Sequence, residues 1–166
     1  MKKTDRPPII AVVGWSNSGK TTFLVNLIKE LKKRGHCVGT IKNHHGPINV
    51  DKPGTDTWHH AQAGASSVVL VGDSSFALFK EYQNQDILKG LPDLMPEVDI
   101  IIAEGFKSSN CPKIEVRRSE INPEPAVPKD ELIALVSEDC EYENIPCFSP
   151  NGYKKIADLI EELFIV

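Results

Sequence analysis

The sequence predicts an α/β protein: a mostly parallel twisted sheet with helices on both faces, in a three-layer α/β/α stack. Three observations carry this. The apolar run Ile9–Val13 reads as a strand, and Val98–Gly105, the most apolar run, as a strand buried on both faces. Stretches with helical period, near 20–33 and 153–164, lie between or beyond them. The first run leads directly into a glycine-bounded turn that opens a helix, Gly14-Trp15-Ser16-Asn17-Ser18-Gly19-Lys20-Thr21.

In chain order, Ile9–Val13 is the first strand, and the helix after the turn places Phe23, Leu24, Leu27, Ile28 and Leu31 on one face. Lys32, Lys33 and Arg34 suit its negative end and Gly35 its C-cap. Cys37–Ile41 is a strand returning parallel to the first through a right-handed crossover. A polar loop, 42–57, leaves the carboxyl edge of that strand, and Thr55 or Asp56 caps a short helix from Trp58 to Ala63. Ser67–Val71 and Phe76–Phe79 are expected as further core strands, and 86–95 as an amphipathic stretch broken by Gly90 and Pro92. Val98–Gly105 contains the most apolar strand, followed by Lys113–Val116, a proline-bearing surface loop over 119–130, Leu132–Val136 and Ile145–Phe148. The last helix, Tyr153–Phe164, turns Ile156, Leu159, Ile160 and Leu163 inward. The whole chain, 1–166, reads as a single nucleotide-binding domain.

The turn is where chemistry is expected. Four residues stand between its two glycines, and Lys-Thr follows the second, which is the phosphate-binding P-loop pattern in strand-to-helix context. Gly14 and Gly19 let successive N–H groups face one anion, and the helix N-terminus adds unsatisfied donors and dipole. Lys20 is the charge for β- and γ-phosphates, and the Thr21 hydroxyl is a ligand for the accompanying Mg²⁺, while Trp15, Ser16, Asn17, Ser18 and Thr22 complete the cradle. A P-loop needs a metal-side carboxylate. Asp99 and Glu104 bracket the most apolar strand about 16 Å apart, and the carboxyl edge selects Glu104, leaving Asp99 as a solvated acid. Asp51 is a second candidate for the Mg²⁺ shell.

Composition narrows the classes. A net charge of −4 argues against a general nucleic-acid binder, and no apolar run approaches the ~20 residues that span a membrane. Cys37, Cys111, Cys140 and Cys147 form no Cys-x-x-Cys pair and read as reduced thiols. All five histidines lie between 36 and 60 without a zinc spacing; Lys42, His44, His45 and Asp51 are read as facing a γ-phosphate or an anionic second substrate. The four arginines leave 35–116 empty, so Arg117 or Arg118, or a partner, would have to supply a catalytic cation; two solvated arginines is the equal alternative. No Asn-Lys-x-Asp segment announces guanine.

Three segments together resemble a known family: the P-loop; Ile41-Lys42-Asn43-His44-His45 through Val50-Asp51-Lys52-Pro53-Gly54 to Ala63-Gly64-Ala65; and Asp99-Ile100-Ile101-Ile102-Ala103-Glu104-Gly105-Phe106-Lys107. The sequence is similar to molybdopterin-guanine dinucleotide biosynthesis protein B, MobB, over most of its first 117 residues. The resemblance implies a cytoplasmic, homodimeric GTP-binding protein with weak GTPase activity. It would assist a MobA-like nucleotidyltransferase that joins GMP to molybdopterin, with contact to molybdopterin itself open. By position, Gly14, Gly19, Lys20, Thr21 and Thr22 would hold phosphate and Mg²⁺, Glu104 would be the metal-side acid, and Asp51 would lie in the switch-like loop. Against this stand a small-metabolite kinase with Asp51 as base and Arg117 or Arg118 as clamp, a histidine-using metallochaperone-type GTPase, and a non-catalytic nucleotide-responsive scaffold.

Overall fold

A computed structural model describes residues 6–48, 51–82, 87–140 and 142–165. The basic first residues, Asn49 and Val50 of the polar loop, and Asp86 lie outside the described residues. The chain divides into two compact units, 1–43 with 91–166, and 44–90.

The larger unit is a six-stranded parallel sheet in the order β2-β5-β1-β6-β7-β8. Its strands are β1 (Ile9–Val13), β2 (Val38–Lys42), β5 (Ile100–Glu104), β6 (Lys113–Val116), β7 (Leu132–Val136) and β8 (Cys147–Phe148). The expected α/β class is what the chain adopts. β2 is parallel to β1, as expected, but β5 is inserted between them, pairing Ile9 with Ile101 on one side and Val38 with Ile100 on the other. That central place explains why β5 is apolar on both faces: Ile100, Ile101 and Ala103 are fully buried.

One face is covered by two helices, α1 (Lys20–Lys33) and α3 (Tyr153–Ile160). Phe23, Leu24, Leu27 and Leu31 of α1 meet Ile10, Val12, Ile102, Ile114 and Val136 of the sheet and Ile156, Ala157 and Ile160 of α3. Arg34, just past α1, ties the helices together through Asp158 and Glu161 (2.6 Å each) and Glu30 (3.0 Å). Beside it, His36 Nε2 lies 2.6 Å from Glu161 Oε1. These contacts, the His36 hydrogen bond first, hold the Glu161 carboxyl below its ordinary range. The last helix departs from expectation at its end. A π-helical turn over Glu161–Ile165 widens the spiral, so Phe164 and Ile165 pack on the core while Leu163 is half exposed.

The second face is covered by short 3₁₀ turns and loops. Leu91–Leu94 is a 3₁₀ turn, and just beyond it Met95 and Val98 close over Gly39 of β2. Further along, Val127 and Leu132 pack on Ala11 and Val13 with Cys111, Tyr142 and Ile145 against them. Asp99, partly exposed at the strand entry, also has a structural role: its Oδ2 accepts the Cys37 N–H at 2.8 Å, fixing the start of β2 against β5. Two of the four cysteines are not free thiols. Cys140 and Cys147 form a disulfide across the β7–β8 connection, where parallel pairing of Leu135 with Cys147 brings the two Cα atoms within 5.8 Å.

The smaller unit holds α2 (Asp56–Gln62) and a separate antiparallel hairpin of β3 (Ser67–Val71) and β4 (Phe76–Lys80). Thr55 is the helix cap, its hydroxyl accepting the Trp58 N–H at 3.3 Å. The hairpin corrects the expectation of two more core strands: only Val68 of β3 is buried, and Val69, Leu70, Val71 and Phe76 are mostly exposed. Among the described residues no helix is long and apolar enough to cross a membrane.

Leu27 is fully buried where α1 meets both sheet and α3. Leu27→Ala is therefore expected to lower unfolding free energy by about 2–5 kcal/mol, read from the midpoint of urea denaturation.

Candidate functional site

The turn after β1 is built by backbone that only certain residues tolerate. Gly14, Asn17 and Gly19 take φ of 149°, 63° and 92°. At Gly14 the reason is also contact: a Cβ would stand 2.3 Å from the Val116 carbonyl oxygen and 2.8 Å from Ser18 Oγ. The turn is thus pressed against the end of β6. Gly19 directly precedes α1 and leaves that helix's first turn without a side-chain cap. Ser18 Oγ is buried with no hydrogen-bond partner among the described residues.

Around this turn the sheet's carboxyl edge delivers charge. Glu104 ends β5 with its Oε1 3.3 Å from Thr21 Oγ1, which donates to it, and 3.4 Å from Lys42 Nζ at the end of β2. Past β5, Gly105 and Phe106 take positive φ, and the Gly105 N–H bonds the Val12 carbonyl at 2.9 Å. That reversal sends Lys107 back over the P-loop, its ammonium 3.7 Å from the centre of the Trp15 ring. Trp15 is held in turn by its indole N–H, which donates to the Glu124 carbonyl at 2.8 Å. Lys20 donates to the Trp15 carbonyl at 2.6 Å. Its ammonium is pushed below the ordinary lysine range, first by burial and then by Lys107 and Lys42, against the opposing pull of Glu104. Arg118, after β6, lies over Gly19, where a Cβ would be 3.5 Å from its guanidinium. With Asn17, Gly19, Lys20, Thr21 and Thr22 it lines a cavity of about 320 Å³.

The structure therefore brings Gly14, Gly19, Lys20, Thr21 and Glu104 to one place. Asp51 belongs to the other unit, where its Oδ1 accepts the Thr55 hydroxyl at 2.7 Å. That hydrogen bond, the largest cause, holds its carboxyl below the usual range. Trp58 packs edge-on against His59, and His36 pairs with Glu161. Among the described residues no three His, Cys, Asp or Glu side chains gather as a metal site.

The two arginines separate. Arg118 is exposed beside the P-loop, whereas Arg117 is buried on the second face with its Nη1 3.3 Å from the Tyr142 hydroxyl. The sequence reading missed what Arg117 belongs to. Lys113 and Glu115 of β6 and Arg117 just after it stand at every second position, and all three are buried. Lys113 donates to Glu131 (2.6 Å), while Glu115 Oε1 accepts the Ala126 N–H (2.9 Å). Glu115 Oε2 has no hydrogen-bond partner among the described residues, and burial pushes this carboxyl above its ordinary range. Charges at every second position of a strand were the available signal, marking one face as polar.

This is a P-loop α/β protein: a glycine-bounded turn between central strand and helix, with a carboxylate and several cations at the carboxyl edge. Comparison with known proteins then places it. Residues 9–138 match the profile of the family described as molybdopterin guanine dinucleotide synthesis protein B, and the chain belongs to that family, MobB. It is 35% identical over 157 residues to the molybdopterin-guanine dinucleotide biosynthesis adapter protein of Haemophilus influenzae, covering 93% of this chain and 88% of that one. To the adapter protein of the same description from Escherichia coli it is 32% identical over 161 residues, covering 93% and 92%. The crystal structure of Bacillus subtilis MobB superposes with a TM-score of 0.70 at 26% identity, covering 93% of this chain and 96% of that one.

Glu115→Gln retains the acceptor for Ala126 and removes a carboxylate that burial disfavours. An acid whose folded pKa is raised destabilises the fold as pH rises through that pKa. The variant is therefore expected to be more stable than the parent at neutral and alkaline pH. The gain should vanish under acidic conditions where both side chains are neutral, as followed by urea denaturation across pH.

Proposed function

We propose that the chain is a Mg²⁺-dependent GTP-binding accessory protein of molybdenum cofactor biosynthesis, assisting a MobA-like nucleotidyltransferase in attaching GMP to molybdopterin. One observation carries the nucleotide part: Lys20, Lys42, Lys107 and Arg118 converge on the glycine-bounded turn with Glu104 beside them. Burial first, then Lys107 and Lys42, hold the Lys20 ammonium below its ordinary range despite Glu104, and a polyphosphate beside it would favour the charged form. The pathway part rests on membership of MobB and on relatives described as adapters for molybdopterin-guanine dinucleotide biosynthesis. That pathway reading implies a cytoplasmic protein.

The residue roles follow from chemistry. Gly14 through Gly19 wrap phosphate with main-chain N–H groups, Lys20 neutralises it, and Thr22 adds a hydroxyl at the start of the helix. Thr21 and Glu104, whose oxygens already lie 3.3 Å apart, would hold Mg²⁺ through its preference for hard oxygen ligands. Bound there, the metal would supply charge neutralisation to the phosphates. Arg118 gives one cation in cis, on an exposed side chain over Gly19, and weak hydrolysis is part of this reading. Asp51, engaged with Thr55 in its own unit, remains the candidate for the switch-like loop.

Lys20→Ala should weaken Mg²⁺–GTP binding about a hundredfold or more by calorimetry, with the unfolding midpoint unchanged. Glu104→Gln should retain nucleotide while losing most of the enhancement by Mg²⁺; retention of that enhancement would remove Glu104 from the metal.

Homodimer formation is part of this reading. The β3–β4 hairpin exposes Val69, Leu70, Val71 and Phe76, and a two-stranded hairpin is marginal in water by itself. Sedimentation is expected to give twice the chain mass, and Val71→Asp with Phe76→Asp to give the monomer.

A further inference from the structure

The disulfide between Cys140 and Cys147 has one end open to solvent: Cys140 is exposed after β7, whereas Cys147 is half-buried in β8. The two are only seven residues apart in sequence, so opening the bond frees little chain and its consequences are local. A cytoplasmic protein, as read above, meets dithiols that keep thiols reduced. Disulfides that do form in that compartment are mostly transient and redox-sensing.

What the bond holds in place leads to the P-loop. Tyr142 and Ile145, between the two cysteines, pack against the cluster of Ala11, Val13, Val127 and Leu132. The Tyr142 hydroxyl accepts from Arg117 Nη1 at 3.3 Å, and the guanidinium carbon lies 5.3 Å from the centre of its ring. Arg117 is buried, so its side chain is positioned by the phenol that receives it. The next residue, Arg118, lies over Gly19 and lines the P-loop cavity with Lys20 and Thr21. The flanks of the bond reach the same arginine. Asp139, directly before Cys140, and Asn151, after β8, line a neighbouring cavity of about 370 Å³ that Arg118 also lines.

We propose that Cys140 and Cys147 are a reversible thiol–disulfide site that exchanges with a dithiol, and that the closed bond, by fixing Tyr142 and Arg117, keeps Arg118 at the P-loop. The inference rests on the reading that the P-loop holds a nucleotide's phosphates, and it names a regulation of that site. Exchange starts at the exposed sulfur. A thiolate of the dithiol attacks Cys140 Sγ, the bond to Cys147 breaks, and a mixed disulfide forms at Cys140. Cys147 leaves with the electron pair and takes up a proton. The second thiolate of the dithiol then attacks its own sulfur in the mixed disulfide and releases Cys140, which is protonated in turn. Two electrons and two protons have passed to the protein, and the dithiol has become a cyclic disulfide. The reverse exchange, with an oxidised dithiol, restores the bond. While the bond is open the loop samples more conformations, Tyr142 is less firmly placed at Arg117, and Arg118 is less firmly held over Gly19.

The test is a calorimetric titration of the full chain with Mg²⁺–GTP after equilibration with reduced or oxidised dithiothreitol. Free thiols are counted in parallel by alkylating the unfolded chain and weighing it. The oxidised parent should show two alkylated cysteines, Cys37 and Cys111, and the reduced parent all four. Reduction should weaken GTP about three- to tenfold, the worth of one hydrogen bond. Cys140→Ser with Cys147→Ser should bind with the weaker affinity under both conditions, while Cys37→Ser with Cys111→Ser should keep the full response. Tyr142→Leu should lose the response in affinity although its thiol count still changes, which separates transmission through Arg117 from general loosening. Equal affinity of the parent in its two states, with the count moved from two to four, overturns the switch and leaves the phosphate site standing. So does a bond that excess dithiol fails to open, or a full response in Tyr142→Leu. Absence of GTP binding in both states would overturn the phosphate reading itself, and this inference with it.

Discussion

The closest constraint in the fold is the passage of Gly14 beneath the end of β6, where a Cβ would lie 2.3 Å from the Val116 carbonyl oxygen. No side chain fits there, and much else depends on that contact. It lets the turn after β1 bend over its neighbour in the sheet instead of rising into solvent. It also places whatever follows Val116 beside the turn, which is why Arg118 reaches Gly19 while Arg117, one residue earlier, is directed into the second face. On the other side of β1, the Gly105 N–H bonds Val12, and the reversal brings Lys107 onto Trp15. The cations at the site are therefore delivered by strand ends flanking one central strand, and their mutual approach is a product of sheet register.

The two faces of the sheet are stabilised differently. The helical face is apolar, with Ile10, Leu27, Ile102 and Ile156 fully or almost fully buried. On the other face lie Lys113 and Glu115 of β6 and Arg117 just after it, and covering segments hydrogen-bond each of them, through Glu131, Ala126 and Tyr142. Removing one partner from such a set leaves a buried charge, so the ladder fixes which loop lies where more than it adds stability. Glu115 and Trp15 both bind the same covering segment, at Ala126 and Glu124, and in this way the second face is mechanically linked to the P-loop.

What was legible in the sequence was local. The P-loop is a pattern of backbone requirements at fixed spacing, and β5 is apolar on both sides because it lies between β1 and β2. Glu104 could be chosen over Asp99 because a strand has a direction and phosphate sites lie at one end of it. The illegible parts depend on pairing. Ser-Val-Val-Leu-Val is as apolar as a core strand, and only its antiparallel partner, Phe76–Lys80, makes it a hairpin outside the main sheet. Cys140 and Cys147 are seven residues apart, and nothing in that spacing says that β7 and β8 lie side by side. The inward residues of the last helix were misread at Leu163 because a π turn adds a residue to the spiral, which no period of 3.6 anticipates.

The bridge between Cys140 and Cys147 turns the β7–β8 connection into a closed covalent ring. A protease that cleaves the peptide chain between those two cysteines does not sever the molecule. Edge strand β8 and the whole of α3 would stay attached, and the nicked protein would migrate as one species until a reductant released its carboxyl-terminal piece.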